Sequence, residues 1–170
     1  MRRLFLIVLL LTGIAVNSSA KARFAWGAEI GTGVDMSSDD MSTLNIAAYA
    51  GCKMPWLTFV GLGTGIDSYM SQSYNSYPIY FLARTSFSPK PRLMFGELRV
   101  GMAINEVTGQ ATQTGLYLRP GLGFQLAVGK GFRSYLMISY LYNSLRFPSP
   151  KVDTTIHGLN QAVLTLGISF

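Results

Sequence analysis

The side chains capable of chemistry fall into separate groups. The chain has one histidine, His157. An imidazole beside a hydroxyl and a carboxylate is the make-up of a hydrolytic centre, and Ser139, Ser144 and Asp153 are the available companions. No spacing singles them out, and a lone His near a strand end reads more simply as a rim hydrogen-bonder. The one cysteine, Cys52, has no partner for an intrachain disulfide or a thiolate metal site. Asp35, Asp39 and Asp40 cluster in one polar stretch, but their spacing matches no calcium-loop motif and fits a solvated loop. The largest group is Arg84, Arg99 and Arg119 together with Glu29, Asp67 and Glu97. These groups balance in charge. Enclosed together, they would neutralise one another in a low-dielectric interior. Which way they face depends on the elements that carry them.

Hydrophobic residues make up 49% of the 170 positions and charged residues only 13%. A soluble domain usually carries about 25% charged residues, so this surface is too apolar for water. The only long apolar run is at the start. Arg2 and Arg3 precede an apolar core over 4–16, and small residues follow at Ser18, Ala20 and Ala22. That is the plan of a signal peptide over 1–22, cleaved after Ala20 or Ala22, and its core is too short to span a bilayer. The formal charge of +6 therefore shrinks on export. The remaining basic residues are scattered, with no dense run, which argues against a nucleic-acid partner. Cys52 lies too far from the leader for a lipid-attachment site.

From residue 23 onward the chain alternates apolar and polar positions, the period of a strand with one greasy face. Eight such stretches are expected, over 24–36, 42–53, 57–69, 77–87, 92–105, 115–128, 132–146 and 156–170. Polar stretches at 37–40, 70–76, 106–114 and 147–155 alternate with tight turns at 54–55, 89–91 and 129–131. Long and short connections in alternation, with an even strand number, predict an all-β, eight-stranded, antiparallel, transmembrane up-and-down β-barrel over 23–170. Phe24, Trp26, Trp56, Phe87, Phe95, Phe132 and Phe170 would form a girdle at the short-turn end. Tyr69, Tyr77, Tyr140, Tyr142 and Phe147 would form one at the long-loop end. Pro120 fits poorly in a strand interior and predicts a bulge or a shifted start.

The parity puts Glu29, Asp67, Arg84, Glu97, Arg99 and Arg119 on the inner face, with Gln161. Glycines of the same face (Gly31, Gly33, Gly61, Gly63, Gly65, Gly121, Gly123) make room for Tyr49, Tyr117 and the arginines. A soluble lipid-carrying barrel would invert the pattern. It could not line a dry cavity with so many charges without heavy desolvation cost. Eight strands enclose a space just wide enough for side chains to fill, so the ionic set reads as a structural plug rather than a conducting path. His157 faces inward near the long connections, and Tyr74, Asn75, Glu106 and Lys151 lie with the acidic residues in the loops.

The closing stretch ends Leu164, Leu166, Ile168 and Phe170 on one face and Thr165, Gly167 and Ser169 on the other. Leader, eight alternating strands and terminal Phe together resemble the small porin-like outer-membrane β-barrel families of Gram-negative bacteria. The stretches Tyr77-Pro78-Ile79-Tyr80-Phe81-Leu82-Ala83-Arg84 and Phe95-Gly96-Glu97-Leu98-Arg99-Val100-Gly101 are similar to the middle hairpin of the Bacteroidetes outer-membrane β-barrel domain. That resemblance implies an exported protein of the cell outer membrane that contacts its lipids. Leu164, Leu166, Ile168 and Phe170 would be the signal read by the barrel assembly machinery. It carries over no catalytic residue and leaves room for a surface or secretion partner, and the residues themselves point to no cofactor and no metal. The expected role is structural or surface interaction, without enzymatic activity. A lipid-modifying enzyme and a narrow or secretion-associated channel are the alternatives.

Overall fold

A computed structural model describes residues 23–36, 42–54, 57–70, 74–87, 93–107, 112–129, 131–144, 147–148, 155–156 and 158–170. The leader over 1–22 lies outside them, as do Asp39, Asp40, Trp56, Lys151, Asp153 and His157. Alternation of large apolar and small or polar residues makes each long segment a strand. These are β1 (Arg23–Asp35), β2 (Thr43–Lys53), β3 (Phe59–Tyr69), β4 (Tyr74–Ser86), β5 (Met94–Val107), β6 (Gln113–Val128) and β7 (Arg133–Asn143). Two short strands follow, β8 (Phe147–Pro148) and β9 (Thr155–Ile156), and β10 (Leu159–Ser169) ends the chain.

The long strands close into one antiparallel barrel in the order β1-β10-β7-β6-β5-β4-β3-β2. Closure is made by β1 on β10, running from Gly27 opposite Ser169 to Asp35 opposite Gln161. Each neighbour pairs in a continuous meander, so no long edge is left to recruit another chain. The barrel strands run 11 to 16 residues, and about 9–11 tilted residues suffice to cross a hydrocarbon layer.

The faces sort as the alternation requires. Ile30, Ile46, Leu62, Ile79, Met102, Leu122, Ile138 and Leu166 all lie outside and exposed. In water, leaving each such side chain uncovered would forgo about 1.5–3 kcal/mol. Lipid removes that cost. The exterior is therefore that of a transmembrane barrel, and the interior carries Glu29, Asp67, Arg84, Glu97, Arg99, Arg119 and Gln161, all buried.

Several boundaries and faces differ from the sequence expectation. β4 starts at Tyr74, not at 77, because Tyr74 and Ser76 bury on the inner face and extend the ladder to Tyr69. Tyr69 and Phe95 do not join the aromatic girdles. They are 2% and 1% exposed inside the barrel, as the parity of their strands dictates. The fourth connection is not plain loop: β8 and β9 form a small antiparallel ladder within it, and β10 begins at Leu159 rather than at 156. Pro120 makes no bulge. It faces outward opposite Leu98, and on its other side the β6–β7 ladder skips from Leu118 opposite Tyr142 to Gly121 opposite Ser139 without changing register. The register shift lies further on, between Gln125 and Ala127.

Inward aromatics fill the space left by glycines on the neighbouring strand. Tyr49 lies opposite Gly27, Tyr80 opposite Gly63, Phe95 opposite Gly123 and Tyr135 opposite Gly167. A side chain at Gly63 would meet the Tyr80 ring, and one at Gly167 the Tyr135 ring. Each ring thus seats over a strand that has no Cβ, which pins register as well as filling volume. Gly63→Val should force Tyr80 from its seat and cost about 1–3 kcal/mol, read as a lower urea midpoint for unfolding of the vesicle-inserted barrel. An outward control on the same strand, Leu62→Ile, should leave the midpoint near its starting value.

Candidate functional site: the charged lumen

Alternation places Glu97 and Arg99 on the same face of β5, two residues apart, and the β4–β5 register sets Arg84 directly opposite Glu97. Glu29 reaches the same point from β1. Four charges of alternating sign then meet across the lumen. Arg99 Nη2 donates to both Glu29 oxygens at 2.7 and 2.6 Å, and Arg99 Nε donates to Glu97 Oε1 at 2.6 Å. Arg84 Nε donates to the other Glu97 oxygen at 2.7 Å, and its Nη2 stands 3.8 Å from Glu29. Both carboxylates therefore bridge both guanidiniums. Net charge within the ring is zero, and charge-assisted hydrogen bonding offsets much of the desolvation that burial imposes.

Aromatic groups complete the ring. Tyr135 donates its hydroxyl hydrogen to Glu29 and accepts from Arg84 Nη2 at 3.1 Å. Its oxygen also lies 3.0 Å from the Tyr49 hydroxyl. Arg99 Nη1 donates to the Tyr80 hydroxyl at 3.3 Å. The Arg84 guanidinium carbon stands 4.5 Å from the ring centres of both Phe95 and Tyr135, so it is stacked as well as paired. Below this ring, a cavity of about 20 Å³ is lined by Tyr49, Lys53, Arg84, Phe95, Arg133 and Tyr135. That is room for one water, not for a file of them.

Arg119 and Asp67 stand apart from the ring, although the sequence offered both as members. Arg119 Nε donates to Ser139 Oγ at 2.9 Å, and its Nη2 to Thr165 Oγ1 at 2.5 Å. Its register partner on β5 is Arg99, and two like charges directly opposite must diverge. Arg99 turns to the carboxylates and Arg119 to hydroxyls of β7 and β10. Asp67 accepts from Asn45 Nδ2 at 2.7 Å, in a second layer nearer the long connections. That layer, with Tyr74, Ser76, Asn105 and Asn143, was not anticipated. The signal for it was the inward parity of Asn45, Asn105 and Asn143 in one band of the barrel.

Of the catalytic candidates, Ser139 and Ser144 are among the described residues. His157 and Asp153 lie outside the described residues. Ser139 Oγ already accepts from Arg119 and donates to the Val163 carbonyl at 3.4 Å. Among the described residues no three His, Cys, Asp or Glu side chains are grouped as a metal site, and Cys52 is a free thiol, half-buried at the end of β2.

At the short-turn end the terminal residue is held on several sides. Phe170 stacks on Trp26 at 4.6 Å and leans on Phe132 at 5.6 Å. Its N–H donates to the Trp26 carbonyl at 2.8 Å, and its carbonyl oxygen accepts from Lys53 Nζ at 3.5 Å. Leu164, Leu166 and Ile168 precede it on the exterior face.

Known proteins match this arrangement in fold. The crystal structure of Neisserial surface protein A superposes with a TM-score of 0.61 at 19% identity, covering 87% of this chain and 97% of that one. The N-terminal β-barrel domain of Pseudomonas aeruginosa OprF follows at 0.53 and 12% identity, covering 88% of this chain and all of that one. No protein-family model matches the chain, and no curated protein sequence does. The shared property is the fold, an all-β closed barrel of eight antiparallel strands.

Removing one member of the ionic ring leaves the others buried and uncompensated. Arg99→Met should cost about 3–5 kcal/mol, seen as a lowered urea midpoint in vesicles. Glu29→Gln combined with Arg99→Met deletes the pair together and should recover part of that loss. Additive losses in this double-mutant cycle would show that the two groups are not coupled.

Proposed function

We propose that the chain is an integral barrel of the bacterial outer membrane with a structural or surface-interaction role, a plugged lumen and no enzymatic activity. The observation that carries this reading is the Glu29–Arg99–Glu97–Arg84 ring. It spans the lumen with its side chains no more than 7% exposed. A path for solutes would have to break four charge-assisted contacts at once. Chemistry needs a group free to react, and the ring leaves its own carboxylates saturated.

In this reading the leader over 1–22 directs export and the short turns face the periplasm. The exterior leucines and isoleucines contact outer-membrane lipid. The barrel assembly machinery reads Leu164, Leu166, Ile168 and Phe170 in the unfolded chain, before Trp26 and Phe132 cover the terminal ring. The long connections, with the β8–β9 ladder among them, are then the part presented outward to any surface or secretion partner. The similarly folded Neisserial barrel carries the name of a surface protein, which fits that presentation.

Planar-bilayer recording tests the plug. The intact chain should give no steady conductance, and Arg84→Ala with Glu97→Ala should open measurable current. Steady conductance from the unaltered protein would overturn the plugged reading. Deleting Phe170 should reduce the heat-modifiable, folded form recovered in the outer-membrane fraction more than shortening the fourth connection does. Equal yields would remove the terminal residue from assembly.

A further inference from the structure

The two layers of the lumen differ in one respect. In the ionic ring every buried polar side-chain atom has a partner. The orphaned atoms all fall in the layer nearer the long connections: Asn45 Oδ1, Asp67 Oδ2, Tyr69 Oη, Asn105 Nδ2 and Asn143 Oδ1. Their residues are 1–3% exposed or fully buried. An unsatisfied buried polar atom costs about 1–3 kcal/mol, and more where it is charged. Such a cost is not expected to gather in one band by accident.

The band is contiguous. Asn45 lies opposite Asp67 in the β2–β3 register, Asp67 opposite Ser76, and Ser76 opposite Asn105. Asn143 crosses from β7 to donate to Ser76 Oγ at 3.1 Å and to Asn105 Oδ1 at 3.0 Å. Tyr74 and Ser76 also donate to Asn105 Oδ1, at 2.8 and 2.7 Å. Three donors of the band thus converge on one carboxamide oxygen. Asn45 Oδ1 and Asp67 Oδ2 belong to paired residues of β2 and β3, and Tyr69, two positions beyond Asp67 on the same face, carries its hydroxyl to Asn143. No Lys or Arg nitrogen lies within 4.0 Å of the Asp67 carboxylate among the described residues; the ion pairs there belong to Arg84 and Arg99.

We propose that this layer is a binding site for a small hard cation, held by Asp67 Oδ2, Asn45 Oδ1, Asn143 Oδ1 and the Tyr69 hydroxyl oxygen. A carboxylate, two carboxamide oxygens and a phenol oxygen form an all-oxygen donor set, the kind that suits sodium or calcium and not a transition metal. The ion supplies the charge that Asp67 lacks. Its retained water accepts from Asn105 Nδ2, the one orphan that is solely a donor. Entry is from the long-connection end, past the Tyr69–Tyr74 ring pair at 4.3 Å.

The experiment uses the full chain refolded into phosphatidylcholine vesicles, in a buffer whose only cation is N-methylglucamine. Sodium or calcium chloride is then added in separate arms. One of the two should raise the midpoint of thermal unfolding in a saturable way, and that metal should be retained after gel filtration. Asp67→Asn should abolish both effects. Tyr69→Phe keeps the charge and should raise the half-saturating concentration about tenfold or more; it serves as the variant should Asp67→Asn fail to refold. A flat response to both metals in the unaltered protein overturns the site and assigns the layer to water alone. An undiminished response in Asp67→Asn or Tyr69→Phe also overturns it.

Discussion

The structure depends on one constraint: in hydrocarbon, every backbone N–H and C=O needs a partner from the chain itself. Strand pairing between sequence neighbours satisfies most of them locally. The last set is satisfied only when β1 meets β10, from Gly27–Ser169 to Asp35–Gln161. That pairing joins the two ends of the barrel, so it carries the largest loop-closure cost and the largest return. It also explains why so much is invested beside it. Trp26, Phe132 and Lys53 all hold Phe170 at the end of that seam. A frayed seam would expose two strand edges to lipid at once.

Closure at eight strands then fixes the interior. An eight-stranded interior is just wide enough for side chains to fill, so what points inward is satisfied mainly by its neighbours. Two solutions appear in one barrel. Near the short turns, opposite charges meet at the crossing of β1, β4 and β5, and tyrosines complete them. Aromatic bulk there is admitted by glycines on adjacent strands, which is why Tyr49, Tyr80, Phe95 and Tyr135 each sit opposite one. Nearer the long connections, charge is sparse and carboxamides dominate. A carboxamide brings equal donor and acceptor capacity but a fixed geometry, so a band of them satisfies itself less readily than an ion pair does.

Much of this was legible in the sequence. The alternation set eight strands, the connection lengths set their order, and parity alone put Glu29, Arg84, Glu97 and Arg99 on one face. The failures are instructive because the signal was present. Tyr69 shares parity with Gly63 and Asp67, and Phe95 shares it with Glu97 and Arg99. The expectation that puts both outside rests on the preference of aromatics for membrane interfaces. Parity is a geometric property of the strand, whereas interfacial preference is a tendency of the residue, and geometry prevails. Other features could not be read. Which arginine takes which carboxylate depends on cross-lumen distances, and the Gly–aromatic seats depend on register. The small β8–β9 ladder depends on contacts within a single connection, where alternation is too short to show.

The separation of Arg119 from Asp67 follows from these same constraints. Charge counting alone would pair them, since they are the acid and base left after the ring forms. Register prevents it. Arg119 faces Arg99 across β5 and β6, and repulsion sends it toward β7 and β10, where Ser139 and Thr165 accept its hydrogens. Asp67 is anchored in the opposite wall by Asn45. Neutral partners satisfy the guanidinium because it carries several donors and can distribute them. A carboxylate has only acceptors, and the single donor aimed at it leaves one oxygen without a partner. The same unit of charge is therefore tolerated on one wall of the lumen and left demanding on the other. That asymmetry makes the Asp67 layer, and not the larger ionic ring, the part of this interior with capacity for a ligand.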